Sequence, residues 1–149
     1  MAVFVEGGLR VAVRPFARTV ERVLRDPRGW RRAGYAFRLV ADGGSADIAI
    51  VLASPALTDR LCAPLQTFGR YSCAQGNRAV LNFERWRHGA RTYASLVRYR
   101  TYMINHEVGH LLGRLHAYCT TAGGRAPLMM QQTKGVAPCR PNPWPLPGG

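Results

Sequence analysis

The stretch HEVGHLLGRLH at residues 106–116 contains the pattern from which the fold can be predicted. It opens with two histidines four positions apart, and residues at that spacing lie one above the other on the same face of a helix. His106 and His110 can therefore present two imidazole nitrogens to one metal ion. Gly113 favours a left-handed backbone that ends the helix, and the reversal brings His116 towards the first two histidines.

Three histidine ligands leave the fourth tetrahedral position to water, which is typical of a catalytic zinc. Glu107 follows the first histidine and is placed to act as general base on a zinc-activated water without ligating the metal. The alternative is an amphipathic helix with ordinary histidines, which must explain why three of the four histidines fall in this stretch. The fourth, His88, lies in the polar stretch 84–89 and is interpreted as a solvated loop residue.

The same residues carry a family resemblance. The pattern H-E-x-G-H-x-L-G-x-x-H resembles the metzincin clan of zinc endopeptidases, and APLMMQ at 126–131 resembles that clan's Met-turn, which places a methionine beneath the metal. The resemblance implies a zincin fold with one catalytic Zn²⁺, the ligands being His106, His110 and His116, the base Glu107, and the Met-turn residue Met129 or Met130. Taken alone, the two methionines are equally compatible with core filling. Some metzincins place a tyrosine after the turn, whereas Gln131 and Gln132 follow here.

A wider set of positions resembles an uncharacterised family of exported actinobacterial metzincin-like domains. These positions cover most of the chain and comprise residues 26–30, Asn105, Cys119, residues 129–133 and residues 139–144. This second resemblance implies the same fold and a protease activity, and it supplies no substrate.

Length and composition favour one domain spanning residues 1–149, because 47% of the residues are hydrophobic and can bury a core. No run of about eighteen apolar residues occurs, so we expect no transmembrane segment. The N-terminal stretch MAVFVE lacks the basic and long apolar regions of a signal peptide. We expect that an export signal was either removed or lies upstream of residue 1.

The net charge of +13 first suggests nucleic acid as a partner. The basic residues are scattered from Arg10 to Arg140, however, and of the 21 only Lys134 is a lysine. An arginine preference of a GC-rich genome explains this more simply than a phosphate-binding patch does. We therefore expect no nucleic-acid partner, while adhesion to anionic cell walls or acidic substrates stays open.

Four cysteines allow three pairings. We favour Cys62–Cys73 and Cys119–Cys139, because each pair closes a short loop rich in Gly, Pro, Ser or Thr and contributes roughly 3 kcal/mol in the chain-entropy model. The alternatives are free thiols and metal ligation, although no C-x-x-C spacing occurs. An even count in short loops indicates an oxidising, extracytoplasmic or secreted location.

Hydrophobic periodicity predicts an α+β architecture, and the order of its elements resembles the upper half of the zincin domain that the family resemblance implies. The predicted strands are 3–5, 35–40, 48–52, 71–73 and 78–83, the helices are 15–24, 55–61 and 93–112, and the turns are 42–44 and 75–77. They describe a small mixed, twisted sheet packed on a backing helix and a long active-site helix, followed by the Met-turn. The proline-rich tail 141–147 is expected to run extended over the surface, anchored by Trp144.

These observations predict a monomeric zinc-dependent endopeptidase that cleaves a peptide or protein substrate. The extended substrate is expected to pair with the edge strand near residues 69–73. The first alternative is a catalytically idle zincin-fold module that binds peptides or cell-wall material, since little chain is left to build a deep specificity pocket. The second is a nucleic-acid binder, which only the charge favours.

Overall fold

A computed structural model describes residues 1–41 and 43–145 of the chain. The structure is α+β, with its strands in a single small mixed sheet. In chain order the elements are β1 (Ala2–Val5), α1 (Val13–Leu24), β2 (Ala49–Ala53), α2 (Pro55–Cys62), β3 (Cys73–Gln75), β4 (Arg78–Asn82), α3 (Phe83–His88) and α4 (Leu96–Leu111). Short 3-10 turns lie at Trp30–Ala33 and Gly43–Ser45.

The sheet order is β1-β2-β4-β3. β1, β2 and β4 run parallel, and β3 pairs antiparallel with β4 through a hairpin at Gly76. β2 is a central strand of the sheet, and a parallel strand in that position is buried on both faces. Its sequence is accordingly the continuous apolar run AIVLA. β3 is the edge strand, as predicted, although it starts at Cys73 rather than residue 71.

Helix α1 is the predicted backing helix. The four apolar positions predicted to face the core recur at helical spacing and are buried: Phe16, Val20, Val23 and Leu24. They pack in the main core with residues of the central strands and α4, and Phe16 meets Trp86 edge-to-face at 4.9 Å between ring centroids. Burial of each large side chain in this cluster contributes about 2 kcal/mol.

Helix α4 begins at Leu96, later than the predicted residue 93, because Ser95 caps it by accepting a hydrogen bond from the Arg98 backbone N–H. Tyr93 instead lies in the preceding turn. Most of α4 from Tyr99 to Gly109 is buried, so the helix runs through the interior rather than along one face of the protein. This position explains why the helix has no clear polar side.

Helix α3 was not predicted. Asn82 ends β4 and accepts hydrogen bonds from the backbone N–H groups of Glu84 and Arg85, which starts a helix at Phe83. The predicted strand was therefore one residue too long. His88 is the exposed last residue of α3 and not a loop residue, and its Nε2 lies 3.4 Å from the Glu84 carboxylate.

The prediction of a strand at 35–40 is wrong. This segment is irregular, and beside β1 it pairs with Met1: the N-terminal ammonium donates to the Arg38 carbonyl at 2.8 Å, and the Val40 N–H donates to the Met1 carbonyl at 2.9 Å. A single paired residue cannot propagate a ladder. Of the predicted turn 42–44, Asp42 lies outside the described residues, and Gly43 begins a 3-10 turn.

Two disulfides, Cys62–Cys73 and Cys119–Cys139, are present, and this is the pairing favoured from the sequence. The first joins the end of α2 to the start of β3. The second closes the segment after α4, with a sequence separation of 20. The pair is consistent with an oxidising, extracytoplasmic compartment.

The C-terminal tail was predicted to run over the surface, and its first part does not. Asn142 and Pro143 are buried, and Trp144 is half-buried with the Arg28 guanidinium 4.5 Å from its ring. Trp144 is thus an anchor, as expected, in a segment that packs into the protein. Residues 146 and 147 lie outside the described residues. Across residues 1–41 and 43–145, no helix combines the length and the hydropathy that a membrane crossing requires.

Replacing Cys62 and Cys73 together by serine should lower the free energy of unfolding by about 3 kcal/mol, because the short loop would gain freedom in the unfolded chain. Urea denaturation under oxidising conditions measures this loss. Wild-type protein held in reductant is the control. An unchanged urea midpoint in the double variant would show that this bond does not stabilise the fold.

Candidate metal centre

The end of α4 presents the first two histidines of the predicted site. His106 is buried and His110, one turn later, is half-buried. Gly113 then adopts φ +78°, its N–H donates to the His110 carbonyl at 3.0 Å, and the Arg114 N–H donates to the Gly109 carbonyl at 2.9 Å. This pair of hydrogen bonds is the Schellman motif, which reverses the chain after a helix.

The reversal returns the chain across the end of α4 and places His116 opposite His110. The Ala117 N–H donates to the Met129 carbonyl at 3.1 Å, which fixes the backbone beside His116. One ring nitrogen from each of His106, His110 and His116 lies within 4.8 Å of the other two. The structure therefore brings together the three histidines that the sequence singled out.

Two backbone carbonyls set the tautomers of the helical histidines. His106 Nδ1 lies 2.9 Å from the Leu128 carbonyl, and His110 Nδ1 lies 2.8 Å from the Arg114 carbonyl. A carbonyl oxygen only accepts, so each Nδ1 carries the proton and each Nε2 keeps a free lone pair. Anchoring the ring through Nδ1 in this way is the usual arrangement of a metal-ligating histidine.

The donor set fits zinc. Two nitrogens bound at about 2.05 Å to a tetrahedral zinc are about 3.3 Å apart, and the Nε2 atoms of His110 and His116 are separated by 3.2 Å. Burial lowers the pKa of His106 to about 3 and also lowers the pKa of His110 and His116. The imidazoles are thus neutral at physiological pH, which is the form that ligates a metal.

Glu107 lies next to this cluster and lines the same groove. Its side chain is buried, and burial raises the pKa of its carboxyl to about 8 because the charged form is poorly solvated there. A carboxyl group with a pKa near neutrality can both accept and release a proton at physiological pH.

The two methionines predicted as Met-turn candidates have different surroundings. Met129 is buried against Gly109 of α4, where an added Cβ would lie 2.5 Å from the Met129 Sδ and 2.7 Å from Trp30. Glycine at 109 therefore permits the close approach of Met129 beneath the helix. Met130 is half-buried, and its carbonyl accepts a hydrogen bond from the Tyr102 hydroxyl at 2.9 Å.

Gln132 holds this methionine segment in place, a role the sequence did not indicate. Its side chain is fully buried, and its Nε2 donates to the carbonyls of Pro127 and Asn142 at 3.0 and 2.8 Å. Its Oε1 accepts from the Tyr93 hydroxyl at 2.8 Å and from the Asn142 N–H at 2.9 Å. All the hydrogen-bonding capacity of the amide is used, which is what a buried polar group requires.

Asn142 extends the network to the tail. Its Nδ2 donates to the carbonyls of Ala126 and Trp144, at 3.0 and 2.7 Å. Asn105 also reaches the tail, through a hydrogen bond from its Nδ2 to the Pro143 carbonyl at 2.9 Å. The sequence shows that these two residues are polar, but it does not show which distant backbone groups they bind.

A groove of about 320 Å³ runs beside the histidines. One wall is formed by Cys73 and Ala74 of the edge strand and by the loop 65–67, and the floor includes Glu107. Asp59 holds the loop by accepting hydrogen bonds from the Thr67 hydroxyl and, at 2.8 Å, from the Gly69 N–H. The three histidines and Glu107 thus share one groove with the edge strand.

The family described as "Protein of unknown function (DUF3152)" matches residues 2–138 of the chain, which is nearly its whole length. Neither the curated proteins nor the solved structures contain a significant match. The chemistry of the site must therefore be argued from its own residues.

Replacing Gln132 by leucine should lower the free energy of unfolding by about 3 kcal/mol, because buried donors and acceptors lose their partners. The control is Gln131→Leu, since Gln131 is exposed and its replacement should change stability by less than about 0.5 kcal/mol. Urea denaturation of both variants measures the difference. Equal urea midpoints would contradict the role of the Gln132 network.

Proposed function

The chain is a member of the DUF3152 family, whose description assigns no function, and we propose from its site that it is a zinc-dependent endopeptidase with a zincin-like fold. The observation that carries the proposal is the convergence of three imidazoles at one end of α4, with a buried carboxyl group beside them in a groove. Three neutral nitrogen donors with an open side are the donor set of hydrolytic zinc sites.

His106, His110 and His116 would hold the ion. Zinc, when bound, supplies Lewis-acid chemistry that brings the pKa of water to about 7 and polarises a carbonyl group. The hydrogen bonds from the Nδ1 atoms of His106 and His110 to backbone carbonyls orient the two rings and increase their basicity.

Glu107 is the general base in this proposal. Its carboxylate oxygen accepts a proton from the attacking water and then donates that proton to the nitrogen of the departing amine. The raised pKa of Glu107 suits both transfers. Burial of the Glu107 side chain is the cause of that raised pKa, because the charged form of the carboxyl is poorly solvated there.

The edge strand β3 would align the substrate. β3 pairs with β4 along one side, and its Cys73 and Ala74 line the groove on the other. An extended peptide can add to such an edge through backbone hydrogen bonds, with its side chains directed alternately into and away from the groove. The disulfide at Cys73 fixes the strand against α2. The two disulfides together support the proposal that the protein is secreted and acts outside the cytoplasm.

Replacing Glu107 by glutamine should retain zinc yet slow peptide hydrolysis at least about 100-fold, because the amide accepts no proton from water. Cleavage of a mixed protein digest with and without chelator, measured by mass spectrometry, gives the rates. Full activity in Glu107→Gln would remove this residue from the mechanism. Zinc-dependent peptide binding without cleavage by the wild type would favour the idle binding module instead.

Replacing His116 by alanine should weaken zinc binding by more than about 100-fold, since the loss of a ligand costs more than the loss of an outer partner. His88→Ala is the matched control, because His88 is exposed at the end of α3 and does not belong to the cluster. Competition with a chromophoric chelator measures both affinities. Unchanged affinity in His116→Ala would assign the third ligand elsewhere.

A further inference from the structure

A second cavity, here termed the cationic pocket, opens beside the groove that is lined by the histidines and Glu107. In the proposed function that groove is the catalytic groove. Its volume is about 550 Å³, and four of the side chains that line it are basic: Arg70, Arg85, Arg91 and Lys134. Lys134 and Tyr71 also line the catalytic groove, so the two spaces share a border. A residue bound in the groove can therefore direct its side chain into the pocket.

Within residues 1–41 and 43–145, no acidic side chain forms an ion pair with these four basic groups. The ion pairs of these ranges join Arg25 to Glu21, Arg28 to Asp26 and His88 to Glu84, all outside the pocket. No acidic residue of the described ranges lines the pocket itself. Four neighbouring cations without a counter-charge create a strongly positive potential, which attracts and retains an anion.

Arg85 is the least exposed of the four basic residues, and one terminal nitrogen of its guanidinium donates to the Gly89 carbonyl at 3.2 Å. This hydrogen bond holds the guanidinium group in place at the pocket. At the border between the groove and the pocket, the Lys134 ammonium donates to Gln131 Oε1 at 3.2 Å and lies 5.0 Å from the Tyr71 ring. Both of these groups are uncharged, so they do not neutralise the positive charge of Lys134.

The walls of the pocket are held in place by hydrogen bonds. Asn82 caps the helix that carries Arg85, and its Nδ2 donates to the Gly69 carbonyl at 3.1 Å, directly before Arg70. On the opposite wall, the Thr92 hydroxyl donates to the Gln132 carbonyl at 2.7 Å. These hydrogen bonds position the backbone beside Arg70, Arg85 and Arg91.

We propose that the cationic pocket binds a carboxylate of the substrate peptide, so that the protein selects peptides with an acidic group close to the bond in the catalytic groove. Guanidinium groups match the planar geometry of a carboxylate and bind it through charge-assisted hydrogen bonds. The carboxylate comes from an Asp or Glu side chain or from the C-terminus of the peptide. This inference rests on the proposed peptidase function, because it names the class of peptide that would bind in the groove beside the histidines.

Equilibrium binding to the zinc-loaded Glu107→Gln protein tests the proposal without requiring turnover. The probes are three pools of labelled octapeptides, randomised over neutral residues at the remaining positions. The first has a central glutamate and an amidated C-terminus, the second a central glutamine and an amidated C-terminus, and the third a central glutamine and a free C-terminal carboxylate. We expect a pool that carries a carboxylate to bind about tenfold more tightly than the uncharged pool at low salt. Whichever charged pool binds more tightly identifies the source of the carboxylate.

Two further variants locate the effect. Replacing Arg70 and Arg91 together by glutamine should abolish the preference, since both are exposed at the pocket and neither ligates the metal. The control is Arg98→Gln, an exposed arginine on α4 that does not line the pocket, and it should retain the preference. The preference should also shrink as salt screens the interaction.

Equal binding of all three pools would overturn the proposal, as would a preference that survives the Arg70→Gln/Arg91→Gln substitution. Tighter binding of a single-stranded oligonucleotide of similar length than of either charged pool would overturn the assignment to a peptide. Wild-type protein that prefers acidic peptides but cleaves none would contradict the peptidase function alone. Cleavage without an acidic preference would contradict the cationic pocket alone.

Discussion

The carbonyl groups of Leu128 and Met129 hold the two halves of the histidine cluster in register. The first accepts a hydrogen bond from His106 Nδ1 on α4, and the second accepts one from the Ala117 N–H beside His116. Two adjacent peptide groups thus fix both a helical histidine and the histidine that follows the reversal. Met129 adds a packing contact with Gly109, which excludes a side chain at that position of the helix. Any displacement of this segment would separate the histidines from one another.

That segment has little secondary structure of its own, so its position depends on buried polar groups. Gln132 joins it to Tyr93 before α4 and to Asn142 in the tail, while Tyr102 of α4 donates to the Met130 carbonyl. Hydrogen bonds of this kind contribute modestly when complete and cost much more when one partner is lost. The histidine cluster therefore relies on precise polar packing on one side, whereas the sheet and α1 provide an ordinary apolar core on the other.

The histidine cluster was predictable because its determinants are local: the helical spacing of His106 and His110 and the glycine that reverses the chain at 113. The central strand β2 was predictable because parallel strands need a continuous apolar run. The irregular structure of segment 35–40 was not predictable. Its own residues do not show how many residues of a neighbouring strand are available for pairing, and in the structure it pairs with Met1.

The cationic pocket was not predicted either. Arg70, Arg85, Arg91 and Lys134 are scattered along the sequence, and only the tertiary fold places them around one cavity.

X-ray absorption spectroscopy of the zinc-loaded, oxidised protein tests the convergence of the three imidazoles most directly, because it reports the atoms bound to the metal and does not depend on catalysis. We expect a four-coordinate ion with nitrogen or oxygen neighbours at about 2.0–2.1 Å and multiple scattering from three imidazole rings. A shell that contains sulfur at about 2.3 Å, or scattering from fewer than three imidazoles, would contradict it.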